Sequence, residues 1–394
     1  MGITPPSPSI IENESKLMKR RKFIKKAALG TAGGVVLAGC GNNTAEGGNA
    51  APAIQTQPNV RWRLASSFSR SLDTIYGAAE VLADRVGQLT GGRFVIRVYP
   101  GNELVPAFEV LEAVQKGAMQ MGHSASYYYI GKNPAFAFDC TVPFGLTARQ
   151  YLAWVHQGGG LALLRELFAD FNIINLPGGN TGTQMGGWFN REINSLQDLR
   201  GLKMRIPGMG GRVMDQLGVT VQQISSGEIY PALERSAIDA AEWVGPYDDE
   251  KLGFHKVVDH YYYPGWWEPG PALTFYINRD AWDALPVDYQ NILEVSAAEA
   301  GMTMMSRYDA QNPPALQRLV EQGVQLHPFP DDVMQAASET AAALLEEGAS
   351  EPGYARIFEA FKKWRADSYQ WFGTAEQSYA AFAYGAGSEE CTFS

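Results

Sequence analysis

The stretch VRWRLASSFSRSLDTIYGAAEVLADRVGQLTGGRFVIRVY, Val60 to Tyr99, decides the fold class. Val60 to Ala65 alternates apolar and polar residues, the period of a strand. Ile75, Ala79, Leu82, Val86 and Leu89 then recur at helical spacing, and Thr90-Gly91-Gly92 supplies a stop. Phe94 to Tyr99 alternates again. Strand, helix and strand in this order form a βαβ unit, and such units build an open, largely parallel sheet.

Working outward, the pattern continues with a helix over Phe108 to Lys116, a break at Gly117 and an apolar segment around Met119 to Ala125. A second set begins after Asn180, with strands predicted at Met185 to Asn190, Lys203 to Ile206 and Thr220 to Ile224. Helices over Met209 to Leu217 and Glu228 to Arg235 lie between them. Ala272 to Asn278 returns to strand. From Val287 the pattern is almost entirely helical, with breaks expected at Pro313-Pro314, His327 to Pro330 and Glu351-Pro352-Gly353. The expected fold class is α/β, with two lobes overlaid by C-terminal helices. At 394 residues the chain exceeds what one core usually organises, which agrees with two lobes. Ligands of such sheets bind at strand carboxyl ends and between domains, so strand-end loops are where chemistry should be sought.

Composition narrows the function. Thirty-two Lys and Arg against 42 Asp and Glu give a net charge of −10, which argues against a general nucleic-acid binder. Cys40, Cys140 and Cys391 are too few for a disulfide framework, and no zinc spacing occurs. Gly122-His123-Ser124-Ala125-Ser126 starts like a nucleophile elbow but ends in Ser where the tight turn needs Gly. No Walker A motif and no dinucleotide fingerprint appear, and the five histidines lack metal-helix spacing. Cys140 reads as a small buried hydrophobe. No enzyme signature survives these tests.

The N-terminus reads as an address. A basic block from Lys19 to Lys26 precedes an apolar stretch, Ala27 to Ala38, too short to span a bilayer. Arg20-Arg21, with Phe23-Ile24-Lys25 after them, resemble a twin-arginine export signal. Leu37-Ala38-Gly39-Cys40 resembles a lipobox, with Cys40 as the lipidated residue; an ordinary cleaved signal is the plainer reading. Residues 1–39 are expected to be the signal and 40–58 a flexible tether rich in Gly, Asn, Ala, Pro and Thr. Localisation is then the periplasm or cell envelope, with a lipid tether to the membrane.

Three segments carry unusual chemistry. In Gly201-Leu202-Lys203-Met204-Arg205-Ile206-Pro207-Gly208, Arg205 stands at a strand end before Ile-Pro-Gly. Its planar fork of donors suits a carboxylate, and a structural ion pair fits the same position. Ile238 to Pro246 contains Glu242-Trp243, and Tyr261 to Gly270 contains Trp266-Trp267-Glu268. A carboxylate among aromatics is unfavourable unless a cation or donor compensates it. Two of them brought together favour a hard cation, Na⁺, Ca²⁺ or Mg²⁺. The alternative is that the tryptophans are core and the glutamates sit on the rim.

These segments resemble the extracytoplasmic solute-binding subunit of TRAP (tripartite ATP-independent periplasmic) transporters, from Val60 to about Phe382. The likeness points to the branch that binds 2-oxo acids or lactate as a metal–carboxylate complex. It implies a two-lobed, type II-like periplasmic solute-binding fold with a long lobe-spanning helix. Residues 59–182 would form lobe I, 183–270 lobe II, 271–350 the return strand and spanning helices, and 351–394 a C-terminal helix and tail. By resemblance, Arg205, in Leu199 to Gly208, falls on the carboxylate-binding arginine. Gln184, in Thr183-Gln184-Met185-Gly186-Gly187, falls on a glutamine touching cation and substrate. Glu242, Trp243 through its carbonyl, and Glu268 fall on cation ligands, and Tyr128 on a substrate hydroxyl donor within Tyr127-Tyr128-Tyr129. The implied cation is Na⁺ or Ca²⁺ and the implied partners are a small monocarboxylate and TRAP membrane permease subunits. A homodimer through the aromatic segment Tyr354 to Phe382 is a further expectation, packing on its own lobes the alternative. Departing from the family's plain secretory signal, the leader suggests a tethered receptor. The rival readings are an ABC-type receptor and a twin-arginine-exported oxidoreductase. On the family reading, Arg205→Lys should impair binding and leave unfolding nearly unchanged.

Overall fold

The computed structural model describes residues 57–386. Among these, two mixed sheets organise the chain. The first has five strands in the order Phe94–Tyr99, Val60–Ser66, Met121–Ser124, Ala272–Asn278 and Ile173–Asn180. Val60–Ser66 pairs in parallel with Phe94–Tyr99 and with Met121–Ser124, as the βαβ pattern predicts. Ala272–Asn278 runs antiparallel to both its neighbours. The second sheet has six strands, Gln325–Pro328, His260–Tyr263, Trp188–Phe189, Ala240–Ala241, Lys203–Arg205 and Thr220–Gln222. Trp188–Phe189 is antiparallel to both its neighbours, so neither sheet is purely parallel.

Several elements escape periodicity. Ile173–Asn180 carries Pro177-Gly178-Gly179, yet it pairs along Ala272–Asn278 with one register shift. Gly178 is required there, because a Cβ would stand 2.2 Å from the Phe275 ring. The helical pattern does break at His327 to Pro330, and within the break Gln325–Pro328 pairs in parallel with His260–Tyr263, a strand that periodicity did not show. Residues 271–350 therefore contribute a strand to each sheet.

The expected break at Pro313-Pro314 does not occur: one helix runs from Val287 to Glu321. Each proline costs about 3 kcal/mol of helix propensity and orphans the carbonyl four residues back. Those carbonyls belong to Asp309 and Ala310, which are exposed, as are both prolines, so water can serve them. The opposite face buries Met304, Tyr308, Ala315 and Leu319, and this packing holds the helix together. The helix packs on helix Gly77–Leu89 and strand Ile173–Asn180 beside the first sheet, and on helix Pro246–Leu252 beside the second. Hydrogen bonds from Arg318 to the Glu250 carboxylate, and two more, fix the last contact. The Tyr308 hydroxyl donates to Asp248 Oδ2 at 2.7 Å, and the Tyr247 amide donates to Asn312 Oδ1 at 3.1 Å.

The C-terminal helix Pro352–Phe372 divides its aromatics. Tyr354, Phe358 and Phe361 close on Phe138, so this half packs against the chain's own first lobe. Beyond it, Trp371, Tyr379, Phe382 and Tyr384 are 61 to 78% exposed. No helix among the described residues is long and apolar enough to cross a membrane. The signal, most of the tether and Cys40 lie outside the described residues.

Candidate functional site

The structure brings Gln184, Arg205, Glu242, Trp243, Glu268 and Tyr128 together. Arg205 ends strand Lys203–Arg205 and Glu242 follows Ala240–Ala241, its parallel neighbour, so the sheet register sets them side by side. Arg205 Nη1 donates to the Glu242 carbonyl at 2.8 Å and forms an ion pair with Glu242 Oε1. Arg205 Nε donates to the Ile224 carbonyl at 3.1 Å. The guanidinium also lies over the Trp243 ring, 4.9 Å from its centroid. Both charges are out of water, Arg205 1% and Glu242 0% exposed.

Glu268 is buried beside this pair. Its carbonyl accepts from the Gln184 amide at 3.2 Å, and Gly265 N–H donates to the Gln184 carbonyl at 2.9 Å. Gly265 is needed for that approach, since a Cβ would meet the Gln184 and Met185 carbonyl oxygens at 2.6 Å. Gly187, at φ +82°, is needed on the other flank, where a Cβ would meet the Ala241 carbonyl oxygen at 2.7 Å. The glycines of Gln184-Met185-Gly186-Gly187 thus let three loops converge.

The convergence leaves buried polar atoms without protein partners. Arg205 Nη2 and Trp243 Nε1 are unpaired donors, while Gln184 Oε1 and Glu242 Oε2 are unpaired acceptors. Buried polar atoms are normally satisfied, so two donors and two acceptors left over at one place mark a site built for something bound. Burial raises the Glu242 carboxyl to about 8, against the pull of Arg205, with Asp249 adding to the rise. Burial likewise holds the Glu268 carboxyl well above the ordinary range, and the Glu242 charge pushes it further. Tyr127 donates weakly to Glu268 Oε2 at 3.5 Å. Gln184, Tyr127, Tyr128 and Trp243 line a small pocket whose other walls include Phe68, Ile75 and Leu273.

Set against the sequence reading, Arg205 shows features of both alternatives, since it has an ion pair and an unspent nitrogen. The tryptophans are core, but the glutamates are not on the rim. Of the fork that suits a carboxylate, Nε and Nη1 serve Ile224 and Glu242, which leaves Nη2. Tyr127, Phe68 and Ile75 were missed, because apolar and aromatic loop residues look the same whether they line a core or a cavity. Ser124 of the elbow-like segment accepts from Ser67 and contacts the Tyr129 hydroxyl. Cys140 is fully buried, as expected.

The family model for bacterial extracellular solute-binding protein, family 7 (DctP), matches residues 65–351. The chain belongs to this family. It is 50% identical over 368 residues to a monocarboxylate 2-oxoacid-binding periplasmic protein of Nostoc sp., covering 93% of this chain and 99% of that one. A TRAP transporter solute-binding protein from Bordetella bronchiseptica superimposes with a TM-score of 0.83 at 48% identity, covering 84% of this chain and 99% of that one. That protein is a dimer of mixed occupancy, with copurified calcium and picolinate in one site and the other apo. A TRAP solute-binding protein from Pseudoalteromonas atlantica, with bound sodium and pyruvate, matches with a TM-score of 0.79 at 42% identity, covering 82% and 98%. The DctP fold of these proteins is two-lobed and matches the two sheets described above.

Proposed function

We propose that this DctP-family protein is the extracytoplasmic receptor of a TRAP transporter. It captures a small 2-oxo or 2-hydroxy monocarboxylate together with Na⁺ or Ca²⁺ and delivers it to the membrane permease without chemistry. The observation that carries the reading is the pairing of leftover groups, an unspent guanidinium nitrogen beside unspent carboxylate and amide oxygens in a dry site. Neither an anion nor a cation alone satisfies both. The donor set, carboxylate and amide oxygens only, fits a hard cation held by Gln184, Glu242, Glu268 and the Trp243 carbonyl. Such an ion supplies positive charge for the substrate's carboxylate and 2-oxygen. Arg205 takes the carboxylate through Nη2, and Tyr128 offers a hydroxyl. With a bound cation favouring ionisation of both glutamates, Arg205 leaves one negative charge in excess for the ion to offset. The relatives that bind 2-oxoacids, pyruvate with sodium, and picolinate with calcium support the same class.

The small, partly apolar pocket favours a short ligand. Tryptophan fluorescence titrations in Ca²⁺ or Na⁺ buffer should show pyruvate or a short homologue binding and succinate failing to compete. Tighter binding of succinate would move the protein to the dicarboxylate receptors.

The receptor is proposed to be exported by the twin-arginine route and held to the membrane by lipid on Cys40. Cys40→Ser should then shift it from the membrane to the soluble envelope fraction. If native and variant protein both fractionate as soluble, the anchor is wrong. The exposed Trp371, Tyr379, Phe382 and Tyr384 are proposed as a dimer contact. Sedimentation equilibrium should give twice the chain mass, reduced to one by Trp371→Glu; a monomer at high micromolar concentration would contradict the contact.

A further inference from the structure

Behind Glu242 and Trp243 lies a buried carboxylate that the proposed binding scheme does not use. Asp249, in the short helix Pro246–Leu252, is fully buried and saturated with donors. Its Oδ2 accepts from Trp188 Nε1 at 2.9 Å and from the Tyr261 hydroxyl at 2.7 Å, which ties it to two strands of the second sheet. Its Oδ1 accepts the Val244 amide at 3.3 Å and the Gly245 amide at 3.2 Å. The Val244 amide shares a peptide unit with the Trp243 carbonyl. That peptide is trans, so its N–H and C=O point in opposite directions. Holding the N–H on Asp249 turns the carbonyl away from Asp249. Among the described residues, the Trp243 carbonyl accepts no hydrogen bond. The next peptide is fixed as well, because the Val244 carbonyl accepts from the Met185 amide, adjacent to Gln184, at 3.1 Å.

We propose that Asp249 is a positioning residue of the cation site, clamping the Val244 and Gly245 amides so that the Trp243 carbonyl is held out, before any ion arrives, as a ligand oxygen. The inference rests on the cation reading above. A carboxylate accepting the N–H also polarises the peptide and makes its carbonyl a better donor to a cation. Asparagine cannot reproduce the clamp, since its amide hydrogens must face either the two backbone N–H groups or the Trp188 and Tyr261 donors.

The test titrates Ca²⁺ alone into metal-stripped protein, by calorimetry, for the native chain, Asp249→Asn and Asp248→Asn. Asp248 is equally buried and bonds Tyr308 rather than the Trp243–Gly245 segment, so it reports general damage. Outer-shell partners of metal ligands are usually worth about 10- to 100-fold in affinity, and Asp249→Asn is expected to lose that much. Asp248→Asn should stay within twofold of native. Hydrogen exchange on the native chain gives a second readout that needs no variant to fold. The Val244 and Gly245 amides should already be protected without Ca²⁺. Asp249→Asn binding Ca²⁺ within twofold of native, or those amides exchanging freely until Ca²⁺ is added, would overturn the role of Asp249. A native chain that binds no Ca²⁺ or Na⁺ would overturn the cation reading itself, a separate outcome.

Discussion

Replacing Arg205 by lysine is expected to weaken monocarboxylate binding by about 2–4 kcal/mol, which is the scale for leaving a buried charged partner under-satisfied. A lysine ammonium has three donors but one nitrogen, which cannot stand at the separate positions from which Nε, Nη1 and Nη2 reach Ile224, Glu242 and a ligand. The same geometry changes the expectation for stability. Read from sequence, the substitution should leave unfolding almost untouched. In the structure the Arg205 side chain bonds the Ile224 and Glu242 carbonyls and neutralises a Glu242 carboxylate with no exposure to water. Lysine should therefore also lower the unfolding temperature. The positive charge is retained, but the hydrogen bonds to the Ile224 and Glu242 carbonyls cannot all be remade, and a buried acceptor left unmet is costly. Calorimetry of binding beside thermal unfolding separates the two effects. Native affinity within threefold would remove Arg205 from the site.

The second large effect concerns the carboxylates. Stripping cations should weaken substrate binding, and Glu268→Gln should partly reproduce the loss. Coupling between two ligands is typically about 1–3 kcal/mol, and by reciprocity each should tighten the other equally. The raised carboxyl of Glu242, about 8, and the raised Glu268 fix the sign of the pH dependence. A cation needs the carboxylate form, so its affinity should rise as pH climbs from 6 through 8. Stability of the metal-stripped protein should run the other way. Its buried carboxyls hold protons that the unfolded chain gives up near pH ~4.3, so stability falls as pH rises from there through about 8. Added Ca²⁺ should flatten that decline. A stripped protein whose thermal stability and substrate affinity both ignore pH over this range would contradict the assignment.

How far the sequence could be read depended on which physical signal each element carried. Val60–Ser66, Gly77–Leu89 and Phe94–Tyr99 have clean periodicity and sit where it placed them, and Ala272–Asn278, buried throughout, is the strand its apolar run suggested. Met185 to Asn190 shrank to Trp188–Phe189 because its glycines serve loop convergence rather than pairing. Ile173–Asn180 and Gln325–Pro328 are held by neighbours distant in sequence, which no local pattern reports. The two prolines in the long helix look like a stop, and only the packing of Tyr308, Ala315 and Leu319 explains why they are not. At the site, charged residues in unusual settings stood out. The Arg205–Glu242 pair did not, because the parallel register of two short strands creates it. Asp249 was invisible for a similar reason. Acidic residues after Gly245-Pro246 read as the ordinary first turn of a helix, and nothing local shows that Oδ1 turns back to the Val244 amide.

The central claim is that cation and monocarboxylate are captured together between Arg205 and the buried glutamates. Its most direct measurement is the calorimetry of pyruvate added to thoroughly metal-stripped protein, with stripping verified by elemental analysis, first without and then with Ca²⁺ or Na⁺. Weak or undetectable binding is expected in the first titration and strong binding in the second. Equal affinity in both would contradict that claim.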